Sequence, residues 1–277
     1  MIQDIYPSRL RNEYNNYAIR EEDRLLAFDS DGKILAKDAG GEALFLSGKD
    51  CGENDTVYLF SLDETRFFLK MGEQPIIKVG YEHYSVRDVR DRFSQKDAFV
   101  VFTGYHLWRW YNDNKFCGKC GHASVIDEKE RALRCPECGN IIYPRINPAV
   151  IVGVIKGDRL LLTKYRRGYS HNALVAGFAE IGETLEETVA REVMEETGVS
   201  VKNIRYYKSQ PWGMAQDLLV GFFCEADGDG VIRMDETELK YTDWVKREDI
   251  ELQPNNLSLT NEMMRVFKEN TLQEKFR

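Results

Sequence analysis

The apolar positions of residues 1–111 form short runs separated by turn residues. Four of these runs have the length of a strand, at 24–28, 33–36, 57–60 and 66–70. Asp31-Gly32 stands between the first two runs, which predicts a hairpin. From Ser85 to Trp110 the apolar residues recur at three- and four-residue steps, which is typical of a helix packed on a core. The pattern therefore predicts a mixed α/β domain, and it contains no catalytic cluster.

The pattern changes beyond residue 143, where longer apolar runs alternate with charged turns. We predict six strands there, at 149–155, 159–165, 174–178, 203–209, 218–226 and 242–246, and two helices, at 184–197 and 258–270. We therefore expect three parts in the chain: an N-terminal α/β domain at 1–111, a small module at 112–143 and a third domain at 144–277.

Composition and charge limit the classes of function. Hydrophobic residues make up 43% of the 277 residues and charged residues 30%, as in a globular protein rather than a disordered one. The formal net charge of -8 does not favour broad binding to a phosphate backbone, although a local basic patch remains possible. No apolar run is long enough to span a bilayer, and the first residues do not resemble a signal peptide. We expect a cytoplasmic protein without membrane contact.

Four of the six cysteines form two pairs, in the pattern C-x2-C-x14-C-x2-C. They are Cys117, Cys120, Cys135 and Cys138. A glycine follows each pair, which permits the positive φ that such knuckles use. Four thiolates supply a closed tetrahedral shell, which predicts a structural zinc ribbon rather than a catalytic metal site. Disulfides, a redox pair and an iron site are the alternatives, and a ribbon of this kind can also bind nucleic acid.

The stretch from Gly177 to Val199 contains an unusually acidic predicted helix. Thr184 is a suitable N-cap, Glu187 completes a capping box and Gly198 fits the position that ends the helix. Leu185, Val189 and Val193 follow one face at four-residue steps, so we expect that face to pack on the sheet.

A different face of this helix carries Glu192, Glu195 and Glu196, which we call the acidic face. Three like charges at this spacing repel one another, and hard divalent cations such as Mg²⁺ are suitable partners. Glu183, in the preceding loop, is expected to pair with Arg191. A solvated acidic surface is the alternative interpretation.

All 23 residues from Gly177 to Val199 fit the pattern G-x5-E-x7-R-E-U-x-E-E-x-G-U, where U is apolar. This resembles the Nudix box, and residues 144–277 resemble a Nudix hydrolase, whose fold is an α/β/α sandwich. The resemblance implies that Glu192, Glu195 and Glu196 ligate Mg²⁺ or Mn²⁺ and that Glu196 accepts a proton from the attacking water. It also implies that Arg191 orients the box through Glu183 and that the Ala176 carbonyl is a further metal ligand.

The order of an N-terminal Nudix-like α/β domain, a four-cysteine ribbon and a Nudix box resembles the NADH pyrophosphatases. The resemblance implies hydrolysis of the diphosphate bond of NAD(H) to AMP and nicotinamide mononucleotide by a homodimer. It also implies a late acidic metal ligand at Glu238, for which Glu236 is an alternative. Adenine contacts are implied at Tyr143 and Phe178, where core packing is the alternative, and a weaker substrate contact at Thr260.

The family signature S-Q-P-W-P-F-P-x-S implies substrate contacts in one further segment, which departs from it after the fourth residue. The residues concerned are Gln210, Pro211, Trp212, Gly213, Met214, Ala215, Gln216 and Asp217. Loss of both prolines makes the segment less rigid, and Asp217 adds a negative charge that would repel a substrate phosphate. Either an altered preference among dinucleotides or a plain variant turn is consistent with the departure.

Rival functions share parts of this site. A Nudix hydrolase acting on ADP-ribose, dinucleoside polyphosphates or NAD-capped RNA would use the same glutamates. A basic surface formed by Arg145, Lys164, Arg166 and Arg167 would favour the RNA substrate. A non-catalytic nucleotide sensor or nucleic-acid-binding zinc-ribbon protein predicts a degraded box, whereas every box glutamate is present here.

Overall fold

The computed structural model describes residues 1–52, 55–72, 74–166 and 171–272. The chain divides into two compact units. The N-terminal unit comprises Ile2–Arg145 together with Trp212–Gln216, and the C-terminal unit comprises Met1, Ile146–Pro211 and Asp217–Arg277. The cysteine module therefore belongs to the same unit as the N-terminal domain.

The N-terminal unit is built on a seven-stranded sheet in the order β1-β5-β6-β2-β4-β3-β7. Its strands are β1 (Leu10–Arg11), β2 (Arg24–Leu26), β3 (Ile34–Asp38), β4 (Ala43–Ser47), β5 (Thr56–Leu62), β6 (Thr65–Lys70) and β7 (Glu82–Tyr84), and a 3₁₀ turn spans Gly48–Asp50. The first two apolar runs turn back on each other as predicted, but they pair only at their adjoining ends, because β4 lies between β2 and β3 in the sheet. An isolated bridge between Phe28 and Ile34 and a hydrogen bond from the Leu35 N–H to the Ala27 carbonyl at 2.9 Å join the two runs directly.

Two helices, rather than the single predicted one, follow this sheet: α1 (Val86–Arg92) and α2 (Gln95–Asp113). The chain is extended at Phe93 and Ser94, and the Ser94 hydroxyl caps α2 by accepting a hydrogen bond from the Asp97 N–H at 3.2 Å. A new cap explains the break, because it satisfies an N–H that has no partner within the helix. The predicted core residues Ala98, Val101 and Phe102 are buried.

The cysteine module adds a three-stranded sheet to the N-terminal unit, in the order β10-β9-β8. Its strands are β8 (Val125–Ile126), β9 (Leu133–Arg134) and β10 (Ile141–Ile142). The Arg131 guanidinium donates to the Leu59 carbonyl of β5 at 2.6 Å, and the Tyr14 hydroxyl donates to the Asp127 carbonyl at 2.6 Å. These bonds connect the small module to the larger sheet.

The C-terminal unit contains a six-stranded sheet in the order β14-β15-β11-β12-β16, with β13 paired to β11. The strands are β11 (Asn147–Lys156), β12 (Arg159–Tyr165), β13 (Val175–Phe178), β14 (Ser200–Trp212), β15 (Asp217–Asp227) and β16 (Leu239–Lys246). A 3₁₀ turn spans Arg247–Asp249, and the helices are α3 (Leu185–Thr197) and α4 (Leu259–Lys268). All six predicted strands and both predicted helices are present, with small differences at their ends.

Each face of this sheet packs against one helix. Val150 and Val152 of β11 belong to the cluster that contains Val189 and Val193 of α3. Ile151, between them in sequence, belongs to the cluster that contains Met263 of α4. Successive strand residues point to opposite faces, so the continuous apolar run of β11 supplies both clusters. The mixed α+β fold with an α/β/α sandwich is confirmed.

Within the described ranges, none of the helices has both the length and the apolar character needed to cross a bilayer.

Candidate functional site

Helix α3 begins and ends as the sequence predicts. The Thr184 hydroxyl accepts a hydrogen bond from the Glu187 N–H at 3.2 Å, and the Glu187 carboxylate accepts one from the Thr184 N–H at 2.7 Å. Gly198 ends the helix with φ of 70°. Both caps are confirmed, and they fix which residues of the helix face the sheet and which form the acidic face.

Arg191 connects the loop before α3 to the helix. Its Nε donates to Glu183 Oε1 at 2.7 Å and its Nη2 donates to the Phe178 carbonyl at 2.9 Å. Its Nη1 also donates to Glu192 at 2.7 Å and to Glu195 at 3.1 Å. The hydrogen bond from Arg191 lowers the pKa of Glu183 to about 2, so Glu183 is ionised throughout the neutral range. The pairing with Glu183 was expected, and Arg191 also offsets two charges of the acidic face.

Glu196 is the most enclosed member of the acidic face, with 3% of its surface exposed. The Tyr165 hydroxyl donates to its two carboxylate oxygens at 3.2 and 3.4 Å, and the main chain of Ala176 also hydrogen-bonds to it. Burial nevertheless raises the pKa of Glu196 to about 8, with further contributions from the charges of Glu192 and Glu238. A buried carboxyl with so high a pKa is typical of a functional site, because an ordinary surface carboxyl has a pKa near 4.

Glu192 is a second partly buried carboxylate beside Glu196. Burial raises its pKa, and the charges of Glu195 and Glu238 act in the same direction, whereas the bond from Arg191 opposes them. Gly177 of β13 lies against this carboxylate: a Cβ at Gly177 would stand 1.9 Å from the Glu192 carboxyl carbon. A side chain at position 177 would displace the Glu192 carboxylate, so the glycine lets this carboxylate lie directly against β13.

These carboxylates are the type of ligand that a divalent cation prefers, but within the described residues no three of them have oxygens as close together as the four cysteine sulfurs. The charge of Glu238 raises the pKa of both Glu192 and Glu196, and the charge of Glu192 also raises the pKa of Glu196. The three carboxylates are therefore close enough for their negative charges to repel one another. Hard cations such as Mg²⁺ and Mn²⁺ prefer carboxylate oxygens, and they would offset this repulsion. The side chain of Glu195 is 60% exposed, so it faces solvent at the edge of the group.

The predicted substrate segment begins with a buried structural residue. Gln210 is fully buried; its amide nitrogen donates to the Leu257 carbonyl at 2.7 Å, and its amide oxygen accepts from the Leu259 N–H at 2.7 Å. Gln210 thus holds the start of α4, where Thr260 lies half-buried in the first turn. Pro211, the next residue, is exposed.

The residues that follow, Trp212–Gln216, cluster with the N-terminal unit. The Trp212 ring packs edge-to-face on Phe102 of α2, with the ring centroids 5.2 Å apart. A Cβ on Gly213 would stand 2.0 Å from the Phe102 carbonyl oxygen. This close approach gives a physical reason for glycine where the family signature has proline. Gln216 has φ of 64°, is buried and accepts a hydrogen bond from Arg145 at 3.0 Å.

The other predicted substrate residues have different surroundings. Phe178 exposes 54% of its surface in the C-terminal unit, and Tyr143 exposes 55% in the N-terminal unit, so neither ring is buried in a core. The Tyr143 hydroxyl donates to Glu130 at 2.9 Å. Asp217 is buried, and Asn147 donates to it at 3.5 Å. Met214 is half-buried and Ala215 is exposed.

The four sulfurs of the cysteine module converge, as expected for a zinc ribbon. The Sγ atoms of Cys117, Cys120, Cys135 and Cys138 all lie within 4.8 Å of one another, and they form the one such cluster that the described residues contain. Gly121 and Gly139 have φ of 78° and 71°, which confirms the predicted knuckle geometry. The His122 side chain is outside the cluster; its carbonyl accepts from the Cys117 N–H at 2.8 Å, and its N–H hydrogen-bonds to Cys120. Four converging thiols fit a structural zinc ion.

Two residues of the acidic site are absent from the predicted set: Tyr165 and Gly177. Tyr165 is the last residue of β12, and the register of β12 with β16 shifts between Lys164 and Tyr165. Nothing in the local sequence pattern marks that irregularity. Gly177 is the first glycine of the box, so its place in the pattern was a usable signal.

The basic residues that would favour an RNA substrate are partly engaged. Lys164 lies over the Tyr241 ring at 5.6 Å, and Arg166 donates to the Glu236 carbonyl. Arg145 bonds to Gln216 in the N-terminal unit. Arg167 lies outside the described residues.

Comparison with known proteins places these features in a family. Residues 145–267 match the NUDIX domain, and residues 112–143 match the NADH pyrophosphatase zinc ribbon domain. A protein of Citrobacter koseri named NAD-capped RNA hydrolase NudC is 44% identical over 188 residues, which are 66% of this chain and 72% of that protein. A protein of the same name from Klebsiella pneumoniae is 44% identical over 154 residues, 54% of this chain, and the match spans only 59% of its length. A crystal structure of a Nudix hydrolase from Nitrosomonas europaea is 24% identical, with a TM-score of 0.49, over 57% of this chain and 93% of that one.

Proposed function

The chain belongs to the family of Nudix hydrolases that carry an NADH pyrophosphatase zinc ribbon, and we propose that it hydrolyses the diphosphate bond of NAD(H). The products are AMP and nicotinamide mononucleotide. The observation that carries the proposal is the buried Glu196 carboxyl, whose pKa of about 8 is set within an intact Nudix box. A buried carboxyl group of this kind favours a catalytic protein over a non-catalytic sensor.

Glu192, Glu195, Glu196 and Glu238 are the side chains that would hold Mg²⁺ or Mn²⁺, with the Ala176 carbonyl as a main-chain ligand. Bound there, the ions would offset the charge of the diphosphate and lower the pKa of an attacking water. The Ala176 N–H already donates a hydrogen bond to Glu196, so this part of the main chain lies beside the carboxylate. A separate zinc ion on the four cysteines has a structural role.

The residues of the chain have distinct tasks in this reaction. Glu196 accepts the proton of the attacking water, and Tyr165 and Ala176 hold its carboxylate in place. Arg191 and Glu183 fix the end of β13 at Phe178 and the loop that follows it against α3. The water oxygen forms a bond to one phosphorus while the bridging P–O bond breaks, so AMP and nicotinamide mononucleotide leave without a covalent enzyme intermediate.

The decisive test replaces Glu196 by Gln, which keeps the size of the side chain and removes its basicity. We expect hydrolysis of NADH to fall by about 10²- to 10⁴-fold, the range of general base catalysis. Glu186→Gln is the matched control, because Glu186 lies exposed in the first turn of the same helix. An unchanged rate in the Glu196 variant would remove the catalytic role.

NAD-capped RNA is the second candidate substrate, and the names of the relatives favour it. Lys164 and Arg166, on either side of Tyr165, offer positive charge to an RNA strand. Purified protein supplied separately with NADH, NAD⁺, ADP-ribose and NAD-capped RNA, with products identified by mass, ranks these substrates. A rate on capped RNA above that on NADH would make RNA the main substrate, whereas the reverse order supports the dinucleotide.

We further propose that Phe178 and Tyr143 contact the adenine and that Thr260 and residues 211–217 contribute to the remainder of the substrate site, while the buried Gln210 supports that segment. We also propose that the protein acts as a cytoplasmic homodimer. The exposure of both rings supports the first part, because an exposed aromatic face can stack on a flat base. Replacing either ring by Leu should raise KM for NADH more than it lowers kcat. Light scattering of the purified protein measures the oligomeric state.

A further inference from the structure

A cavity of about 540 Å³ lies within the N-terminal unit, and every residue that lines it belongs to that unit. The volume is in the range of about 300–1,000 Å³ that is typical of small-molecule sites. Its walls combine a buried ammonium group (Lys70), aromatic rings (Phe28 and Trp108) and a carboxylate (Asp29). None of these residues has a task in the proposed hydrolysis.

Lys70 is the most informative wall residue, because it is only 9% exposed and carries a charge. Its Nζ donates to the Gly72 carbonyl at 2.9 Å, and within the described ranges no carboxylate forms an ion pair with it. Burial lowers the pKa of Lys70, which reflects the cost of an ammonium group away from water. An anion in the cavity would offset this cost. It could also accept hydrogen bonds from the two N–H groups of the Lys70 ammonium that do not bond to Gly72.

The aromatic wall is held rigidly. The Phe28 and Trp108 ring centroids are 5.5 Å apart, and Tyr105 stacks on Trp108 at 5.4 Å. The turn at Gly32 closes against the same rings, since a Cβ there would stand 2.7 Å from Tyr105 and 2.9 Å from Trp108. Trp108 is partly exposed and lines the cavity, so its ring offers an aromatic surface to a flat ligand.

Asp29 adds a hydrogen-bond acceptor to this wall. Its Oδ1 accepts the N–H groups of Asp31 at 2.9 Å and Lys33 at 2.8 Å, which fixes the carboxylate in place. Its other oxygen can accept a hydroxyl proton from a ligand. A buried cation, a rigid aromatic face and a fixed carboxylate together match a molecule that has a phosphate, a flat base and sugar hydroxyls.

We propose that this cavity binds a nucleoside monophosphate, with its phosphate on Lys70, its base against Trp108 and Phe28 and a sugar hydroxyl on Asp29. The site is distinct in its residues from the acidic face of α3 and contains no metal-ligating cluster among the described residues. Binding there does not depend on the proposed hydrolysis.

Calorimetry of the whole 277-residue chain tests the proposal, with AMP, adenosine and inorganic phosphate as separate probes. The buffer contains no added Mg²⁺ or Mn²⁺, so that the acidic face lacks the cations that would hold a phosphate. We expect one AMP per chain, bound at least tenfold more tightly than adenosine or phosphate alone. Equal affinity for AMP and adenosine would overturn the role of Lys70, and equal affinity for AMP and phosphate would overturn the role of the aromatic wall.

Substitutions then locate the binding. Lys70→Met and Trp108→Leu should each weaken AMP binding at least tenfold, whereas Lys49→Met, at an exposed lysine of the same unit, should leave it unchanged. Thermal unfolding shows whether each variant is folded, and the three-probe comparison on the wild-type protein needs no variant. AMP binding that survives both cavity substitutions, or that is absent from the wild-type protein, would refute the site.

Discussion

Tyr165 and Glu196 form a hydrogen-bonded pair in which the phenol hydroxyl reaches both carboxylate oxygens, at 3.2 and 3.4 Å. Tyr165 is half-buried, and burial and the Glu196 charge raise its pKa, so it remains a neutral donor. Tyr165 ends strand β12 and Glu196 lies on helix α3, so this hydrogen bond holds the buried Glu196 carboxyl group in one orientation.

Removal of this hydroxyl in Tyr165→Phe should lower kcat for NADH hydrolysis by about two- to tenfold at pH 7, because one hydrogen bond contributes about 0.5–1.5 kcal/mol. Loss of a donor to the ionised carboxylate also raises the pKa of Glu196, so the pH-rate profile should move toward alkaline pH. Tyr206→Phe is the control, since Tyr206 is exposed and bonds only weakly to Ser209, at 3.5 Å. A profile that does not move would argue against a role of Tyr165 in orienting the acid.

The raised pKa of Glu196 makes stability depend on pH when no divalent cation is bound. A carboxyl with a folded-state pKa of about 8 holds a proton that the unfolded chain releases near pH 4. The folded state therefore binds more protons across this window, and the metal-free protein should lose stability as pH rises from about 4 to about 8.

Cation binding should follow the opposite trend, because a metal needs the ionised carboxylate. The increase in Tm that Mn²⁺ produces should thus grow between pH 6 and pH 8. Differential scanning fluorimetry with and without Mn²⁺ measures this, and Glu196→Gln should abolish the growth. An Mn²⁺ effect that is constant over this range would contradict the assignment of Glu196 as a ligand.

Cys138→Ser should release the structural zinc and loosen the cysteine module, which has too small a core to fold without metal. Because Arg131 and Tyr14 tie the module to the larger sheet, the loss should also lower the Tm of the N-terminal unit. Cys51→Ser provides the control, since Cys51 is buried elsewhere in that unit. Elemental mass spectrometry should find one zinc per chain in the control and less in the Cys138 variant.

Gly213→Ala should destabilise the protein by about 1–3 kcal/mol, the usual cost of overpacking. The added methyl group meets the Phe102 carbonyl, which cannot rotate away as a side chain could. Gly118→Ala is matched to it, because a Cβ at Gly118 meets nothing within 4 Å. Chemical denaturation compares the two variants, and equal stability would show that the segment at Gly213 can shift freely.

The sequence predicts helix α3 well because its signals are local. The capping box of Thr184 and Glu187, the apolar positions at Val189 and Val193 and the terminal Gly198 all lie within one helix and its ends. The same holds for the cysteine knuckles, whose ligands are close in sequence. Such elements need no knowledge of distant partners.

Elements that depend on distant partners were harder to predict. Asp31-Gly32 forms the expected turn, yet β4 pairs with β3 and enters between β2 and β3. Apolar alternation states which face of a strand is buried but not which strand lies beside it. Tyr165 escaped prediction for a similar reason, since the register shift that precedes it depends on β16.

Trp212–Gln216 joins two strands of the C-terminal sheet and is nevertheless anchored in the N-terminal unit. Each unit is therefore built from more than one segment of the chain, so neither unit can be exchanged as a single continuous module. If the C-terminal sandwich were fused to an unrelated N-terminal domain, Trp212 would lose its contact with Phe102 and Gln216 its hydrogen bond from Arg145. A folded chimera would therefore need helix α2 as well as the sandwich.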